Sequence, residues 1–561
     1  MASLSGEFLH LPEVRIVLLG WKYGGKSSAA NTILGKKEFK LKESIQCQSR
    51  QGEVAGRKVT VVKAPGWWRD IKRKYTPKLV EQEIVLSASM CPPGPHAVLV
   101  VLDLGCQFLY KKSLVNHIQL LGESVWNHAI VLFTFGDNLG GRSIEQYVHS
   151  EGETLQWLIG QCGNRYHVFN NKDWDDCSQV TELLEKIDKM VAGNAMKYYQ
   201  LDSKIKEEIE NKRKEENKKA EKRLMQVQKR REMLRSMEGV SLNLAEQRMV
   251  LLGCKEAGKS SSGNTILGRK EFTSAAHCES RQAEVAGRKV TVVDTPGWIM
   301  NYTTENTTEL TKQEIRRSVS LCPPGPHALL LVMPVDVSFT DKTPVEQHLH
   351  LLSDSVLDHT IILFTYAGIL RNVTIEQYIE SEGEALQWLV EKCGNRYHVF
   401  NNKKKDDGAQ VIELLEKIEE MVSGNGGRCC EIQSPPKPSL PHRRAQSKDF
   451  TPYMSHENLK MRWSLRSSGQ GSSHCSEISS VFGSMRSSSS GHSSGFGSLT
   501  FIPESERSSE SRQKKLLSFF TKVSHGVAES GSQHPDGRVT RHWWGPRQKK
   551  LLGNSESHTM P

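Results

Sequence analysis

The sequence predicts an α/β fold, a doubly wound and mostly parallel sheet, built twice in one chain. First, a strand–loop–helix segment is written twice, as RIVLLGWKYGGKSSAANTILGKKEF from Arg15 and RMVLLGCKEAGKSSSGNTILGRKEF from Arg248. Second, the echo continues with EVAGRKVTVV at Glu53 and Glu284, CPPGPHA at Cys91 and Cys322, and CGNRYHVFNNK at Cys162 and Cys393. Third, short β-branched runs alternate with helix-compatible stretches. Continuous apolar runs suit strands buried on both faces of a parallel sheet, and the alternation implies right-handed crossovers.

The strands follow in order. The first copy offers RIVLLG, KVTVVKAPG, HAVLVVLDL, AIVLFTF and YHVFNN; the second offers RMVLLG, KVTVVDTPG, HALLLVMPV, TIILFTY and YHVFNN. Between the last two strands lie the helical stretches SIEQYVHSEGETLQWLIGQCG and TIEQYIESEGEALQWLVEKCG. The copies span about residues 14–195 and 246–424, each long enough for its own core. Residues 196–245 join them. The tract from Tyr199 to Glu238 lacks Gly and Pro and carries many opposite charges four residues apart, so it predicts a helix. Its middle is polar all round, which predicts a solvated spacer in preference to a continuous coiled coil. Residues 425–561 turn rich in Ser, Gly, Pro, Arg and His and predict a disordered tail. Within it RQKKLL occurs at Arg512 and Arg547, a candidate contact for an anionic membrane or a partner, weighed against a plain basic tail.

Composition narrows the class. The 561 residues carry a net charge of +11, a basic excess too dispersed for a nucleic-acid footprint. The 12 cysteines form no C-x-x-C pairs, and several recur at matching positions (Cys47/Cys278, Cys91/Cys322, Cys162/Cys393), as buried thiols in a reducing compartment would. No secretory h-region opens the sequence and no apolar run reaches eighteen residues. A cytoplasmic protein is expected, with a peripheral place at an internal membrane as the alternative.

The chemistry sits in G-x-x-x-x-G-K-S, Gly20 to Ser27 and Gly253 to Ser260. Glycines let such a loop curl so that its N–H groups point at phosphate oxygens, and the next helix adds its positive end. The candidate phosphate contacts are Gly20, Gly25, Lys26, Ser27 and Ser28, and Gly253, Cys254, Lys255, Glu256, Ala257, Gly258, Lys259, Ser260 and Ser261. The lysine would reach the β- and γ-phosphates, and the hydroxyl of Ser27 or Ser260 would bind Mg²⁺. In the second copy VVDTPG places Asp294 to hold Mg²⁺ and Gly297 to sense the γ-phosphate. With a base-reading strand end of the FTxxD kind, the pattern points to GTP or GDP.

Through GKSSSGNTILG, VVDTPGW, CPPGPHALLLV, ILFTY and RYHVFNN the sequence resembles the immunity-associated, AIG-type GTPases (the GIMAP family), with the tandem two-domain layout of fish-type members. The resemblance covers both repeats. It implies guanine-nucleotide binding, slow hydrolysis, and nucleotide-dependent self-association through the G domains into dimers or filaments on membranes. It also implies that Ser274 lies near the nucleotide, and that Asn170/Asn171 and Asn401/Asn402 contact the base; a loop-capping role is the alternative for these asparagines. The switch hydroxyl expected three residues before the cysteine is Ser44 in the first copy and is missing at Ala275 in the second.

Each copy departs from the pattern. The first has KAPG, so Lys63 stands where a carboxylate would face Mg²⁺, a reversal of sign at short range; it keeps TFGD, where Asp137 could accept the guanine N–H groups. The second keeps Asp294 but has Gly368 in place of that aspartate. Trp67 and Trp298 stand where a water-orienting Gln would follow the glycine. His96 and His327 are expected to be structural at a strand entry in preference to acting in trans. A weakly hydrolysing GTP-binding switch or scaffold leads; a non-catalytic pseudo-GTPase is the alternative. A nucleic-acid ATPase lacks its basic, aromatic groove.

Overall fold

The computed structural model describes residues 10–69, 71–105, 111–172, 177–236, 244–273, 277–353, 355–403 and 408–430. The tail beyond 430, with both RQKKLL patches, lies outside them. The first domain runs β1 (Glu13–Leu19), α1 (Lys26–Leu34), β2 (Gln48–Val54), β3 (Arg57–Lys63), α2 (Lys78–Leu86), β4 (Ala97–Asp103), α3 (Lys111–Ile118), β5 (Ala129–Thr134), α4 (Ile144–Ser150), α5 (Glu153–Gln161), β6 (Tyr166–Val168) and α6 (Cys177–Gly193). After α7 (Ser203–Ser236) the second domain repeats the order: β7 (Glu246–Leu252), α8 (Lys259–Ile266), β8 (Glu279–Val285), β9 (Arg288–Asp294), α9 (Glu309–Ser320), β10 (Ala328–Pro334), α10 (Thr343–Leu349), β11 (Thr360–Thr365), α11 (Ile375–Glu382), α12 (Glu384–Lys392), β12 (Tyr397–Val399) and α13 (Gly408–Gly424).

Both sheets have six strands, ordered β2-β3-β1-β4-β5-β6 and β8-β9-β7-β10-β11-β12. All neighbours are parallel except the edge hairpins β2/β3 and β8/β9. This is the doubly wound, mostly parallel fold expected, with one edge strand per sheet beyond the five that apolar runs predict. The edge strands QSRQGEV and ESRQAEV show no apolar run because they are half in solvent. Their hairpins turn at Ala55–Gly56 and Ala286–Gly287, all at positive φ, as a two-residue hairpin requires. The long helical stretch near each C-terminal end is two helices, broken where Gly152 and Gly383 take φ of 83° and 93°.

One face of each sheet packs on its first and last helices, as with Ile16, Leu18, Ile33 and Leu184 in the first domain and Leu251, Leu330, Ile266 and Leu415 in the second. The opposite faces join a single apolar cluster that runs from one domain into the other. Cys91, Cys162, Cys322 and Cys393 are buried in these cores, and burial pushes their thiols up to about 12. Among the described residues no helix is long and apolar enough to cross a membrane.

The charged tract does form one helix of 34 residues, most of it exposed as its polarity predicts, but one stripe of it is docked on both domains. Arg213 pairs with Glu83 at 2.9 Å and Gln82 Nε2 donates to Glu216 in the first domain. Arg223 pairs with Glu380 at 2.6 Å and Arg231 with Glu420 at 2.8 Å in the second. Glu216, Ala220 and Arg223 are buried. The reason is that charges along this stripe are matched by opposite charges on both domains, so it docks without stranding an ion.

Candidate functional site

Each G-x-x-x-x-G-K-S loop leaves the C-terminal end of a central strand and enters a helix, so its N–H groups sit at a helix N-terminus in the switch-point crevice of an open α/β sheet. The glycines are needed in place. Gly25 and Gly258 take φ of 88° and 99°, and a Cβ on Gly253 would lie 2.5 Å from the Val332 carbonyl oxygen. Tyr23 and Glu256 adopt φ of 64° and 61° at matching positions, which gives both loops the alternating backbone of an anion-binding nest. Thr134 and Thr365 tie β5 and β11 to the loops by donating to Gly24 and Ala257 carbonyls at 3.1 and 2.6 Å.

In the second domain Lys259 is buried and its Nζ donates to the carbonyls of Gly253 and Cys254 at 3.2 and 3.0 Å. Burial lowers its pKa, an effect that Asp294 opposes. Ser260 Oγ donates to Asp294 Oδ2 at 2.5 Å, while Asp294 Oδ1 is buried with no hydrogen-bond partner. Burial raises the Asp294 pKa against the pull of Lys259. A hydroxyl, a carboxylate with one buried oxygen unmatched and an ammonium thus converge within one crevice, a donor set that suits Mg²⁺ and a polyphosphate. A Cβ on Gly297 would lie 2.5 Å from Lys259 Nζ, so this turn approaches the loop as a γ-phosphate sensor must. Cys254, Lys255, Glu256, Ala257 and Ser261 complete the curve, and Lys255 N–H donates to the Trp298 carbonyl at 2.7 Å. Ser274 and Ala275 lie outside the described residues.

The first domain has a different centre. Lys26 Nζ donates to the carbonyls of Gly20 and Trp21 at 2.9 and 2.6 Å, and burial holds its pKa down at about 8. Lys63 Nζ donates to Ser27 Oγ at 2.9 Å. An ammonium therefore fills the position where Asp294 faces Ser260, and the set Ser27 and Lys63 does not fit a divalent cation. Ser28 follows on α1.

At the base side, Asp137 is held by Lys172 at 2.5 Å. Gly368 presents no side chain, and the nearest polar group to a Cβ there is Asn401 Nδ2 at 3.2 Å. The asparagines divide by position. Asn170 and Asn401 Oδ1 accept the N–H of Lys172 and Lys403 as loop caps. Asn171 and Asn402 bind the first helices through Thr32, Ser262 and Thr265.

His96 and His327 are buried at strand entries, accept the N–H of Arg15 and Arg248 at 3.1 and 3.0 Å, and are held neutral by burial. Trp67 and Trp298 stack on His117 and His348 at 4.4 and 4.5 Å, buried at 1% and 3% exposure, and so do not reach out to order a water.

Two doubly wound domains, each with a phosphate-type loop at its switch point, define a tandem G-domain protein. The model of the AIG1 family matches residues 14–221 and 247–437, and the chain belongs to that family, as a tandem-domain protein of the GIMAP type. It is 29% identical over 453 residues to "GTPase IMAP family member 8" of Homo sapiens, covering 76% of this chain and 65% of that protein. It is 34% identical over 206 residues to "Immune-associated nucleotide-binding protein 9" of Arabidopsis thaliana, covering 34% of this chain and 59% of that protein. The chain thus spans less than two thirds of these relatives' length. Among solved structures, Toc33 of Arabidopsis thaliana in complex with GDP and Mg²⁺ is 16% identical over 34% of this chain and 89% of that one, at a TM-score of 0.29. The G domain of the T. maritima FeoB iron transporter is 18% identical over 32% of this chain and 99% of that one, at 0.22.

Proposed function

We propose that the chain is a guanine-nucleotide-binding switch or scaffold whose working site is the second domain, with slow GTP hydrolysis and nucleotide-dependent self-association through its G domains. The observation that carries this reading is the Ser260–Asp294 pair, with the unmatched Asp294 Oδ1 beside Lys259. Ser260 and Asp294 would hold Mg²⁺, which neutralises charge developing on the phosphates. The N–H groups from Gly253 to Ser261 would cradle the phosphates, Lys259 would pair with them, and the turn at Gly297 would distinguish GTP from GDP. Ser274 and Asn401 would complete the nucleoside side. The first domain, with Lys63 in the metal position, would hold nucleotide weakly and without Mg²⁺ dependence.

The non-catalytic pseudo-GTPase reading is favoured by a separate observation: Trp298 is locked against His348 where hydrolysis needs a group that orients water. Nucleotide extracted from the purified chain and identified by chromatography tests the assignment. Lys259→Ala should remove most of it and Lys26→Ala should not; the reverse result would move the working site to the first domain. Single-turnover phosphate release separates slow hydrolysis from none. The cytoplasm is the proposed compartment, with peripheral contact to an internal membrane or a protein partner through the linker or tail.

A further inference from the structure

The first loop faces the second domain. Lys22, inside the loop, pairs with Asp336 at 3.3 Å, with both side chains under 10% exposed. Trp68 Nε1 donates to the same carboxylate at 3.2 Å. Around this pair the backbones join: Ile45 N–H donates to the Ile369 carbonyl and Ser338 N–H to that of Tyr75, each at 2.9 Å. Lys78 N–H donates to Glu382 at 2.8 Å. From within the first domain comes Glu43, which lines the same cleft as Lys22, Trp68 and Asp336. Lys26, Lys63, Lys22 and the Tyr23 N–H of the nest all act to lower its pKa.

Among the described residues, Asp336 of the other domain thus pairs with Lys22, and Glu43 of the same domain lies in the field of Lys26, Lys63 and Lys22. We propose that the first P-loop is a docking site for these two carboxylates of the chain, Glu43 and Asp336, which take the place of a nucleotide's phosphates and seat the second domain on the first. Burial alone would raise the Glu43 pKa; the three lysines outweigh it and hold the group ionised, as the docked arrangement requires.

Several residues at this contact differ between the copies, whereas Lys22 and Lys26 recur as Lys255 and Lys259. Between the Phe and the Cys that bracket Glu43, the first copy has KLKESIQ and the second TSAAH, two residues shorter and without an acid. Lys63 replaces Asp294 and Trp68 replaces Ile299. On the other side Asp336 has Gly105 as its counterpart. A loop that had merely lost its ligand would show scattered changes. Here the first copy carries a cation, an acid and an indole donor that the second lacks, and the second carries the complementary acid that the first lacks.

The inference rests on the second domain being the working nucleotide site, and one titration separates the two. Fluorescent GDP is titrated into the full chain, in wild type, K259A, K26A and the double variant E43A/D336A, with and without K26A. Wild type should bind one equivalent, lost in K259A and kept in K26A. E43A/D336A should bind a second equivalent, with at least tenfold higher affinity at the first loop, and lose it when K26A is added. Two equivalents in wild type, one of them lost in K26A, would overturn the docking role, as would a double variant that stays at one. Failure of the second-domain reading shows separately, as GDP that survives K259A. Amide exchange at Ile45 and Ser338, which are bonded across the contact, should rise at least tenfold in the double variant; unchanged exchange also overturns the proposal. If the alanine pair does not fold, E43Q and D336N keep shape, lose charge and carry the same expectations.

Discussion

Gly368→Asp places a carboxylate where guanine presents two N–H donors, in a domain that keeps its metal-side residues. The backbone admits the change, since Gly368 lies outside the left-handed region and the nearest atoms to a Cβ belong to the Asn401 amide, with Nδ2 at 3.2 Å. Rotation of that terminal amide relieves the contact. The first domain supplies the template, with Asp137 on Lys172; Lys403 is the counterpart of Lys172 and would compete for the new carboxylate. An exposed ion pair of this kind contributes at most about 1 kcal/mol. Two charge-assisted hydrogen bonds to guanine are worth more, so about 1–3 kcal/mol remains for discrimination, or about 5- to 150-fold in relative affinity. The assay is displacement of labelled GDP by GTP, ATP and XTP in the full chain carrying Lys26→Ala, with and without Gly368→Asp. Selectivity for GTP over ATP should rise within that range. Wild type that already rejects ATP a hundredfold, or a variant with unchanged selectivity, would refute the reasoning and assign base reading to Asn401 or to backbone carbonyls.

Arg223→Ala strands Glu380, a carboxylate 4% exposed, and should cost the second domain about 3–5 kcal/mol in chemical denaturation; Arg223→Ala with Glu380→Ala should recover part of it, and simple additivity would mean that the pair is not coupled. His96, His167 and His327 are held down to about 4 and His398 to about 3, in each case first by burial, from 6.5 in the unfolded chain. The unfolded state therefore takes up protons first as pH falls. Stability should be full above pH 6.5 and decline toward pH 4, and thermal unfolding that is flat across this window would contradict their burial as neutral groups. Lys63→Asp alone should leave the first domain without Mg²⁺ response, whereas Lys63→Asp with Glu43→Ala should make GDP binding there Mg²⁺-dependent by calorimetry; a response in the single variant would show that Glu43 does not obstruct the loop.

Much of the fold could be read from sequence, because parallel strands buried on both faces leave continuous apolar runs such as HAVLVVLDL and TIILFTY. The polar edge strands from Gln48 and Glu279 left no such trace, since their side chains alternate between partial cover and solvent. The helix from Ser203 to Ser236 was visible in its charge spacing, but its docking on both domains was not: the partners of Arg213, Arg223 and Arg231 stand far along the chain, and no local pattern announces them. The site shows the same division. The loops and Asp294 were legible as motifs of a repeated text, and Lys63 and Gly368 as departures from it. Glu43 was not, because a lone glutamate in a loop acquires meaning only when three lysines and a second domain close around it.

The contact between the domains joins unlike surfaces, Lys22 and Ile45 of one copy against Asp336 and Ile369 of the other. Duplicated segments usually remain interchangeable spare parts. These two have become a lock and its key: a chain made of two first copies would lack Asp336, and a chain of two second copies would keep the loop lysine but lack Trp68 and the longer loop that carries Glu43 and Ile45. Their order is thereby written into side chains as well as into connectivity. Recombination that shuffles one copy into the place of the other would yield two intact folds without this contact to set their register.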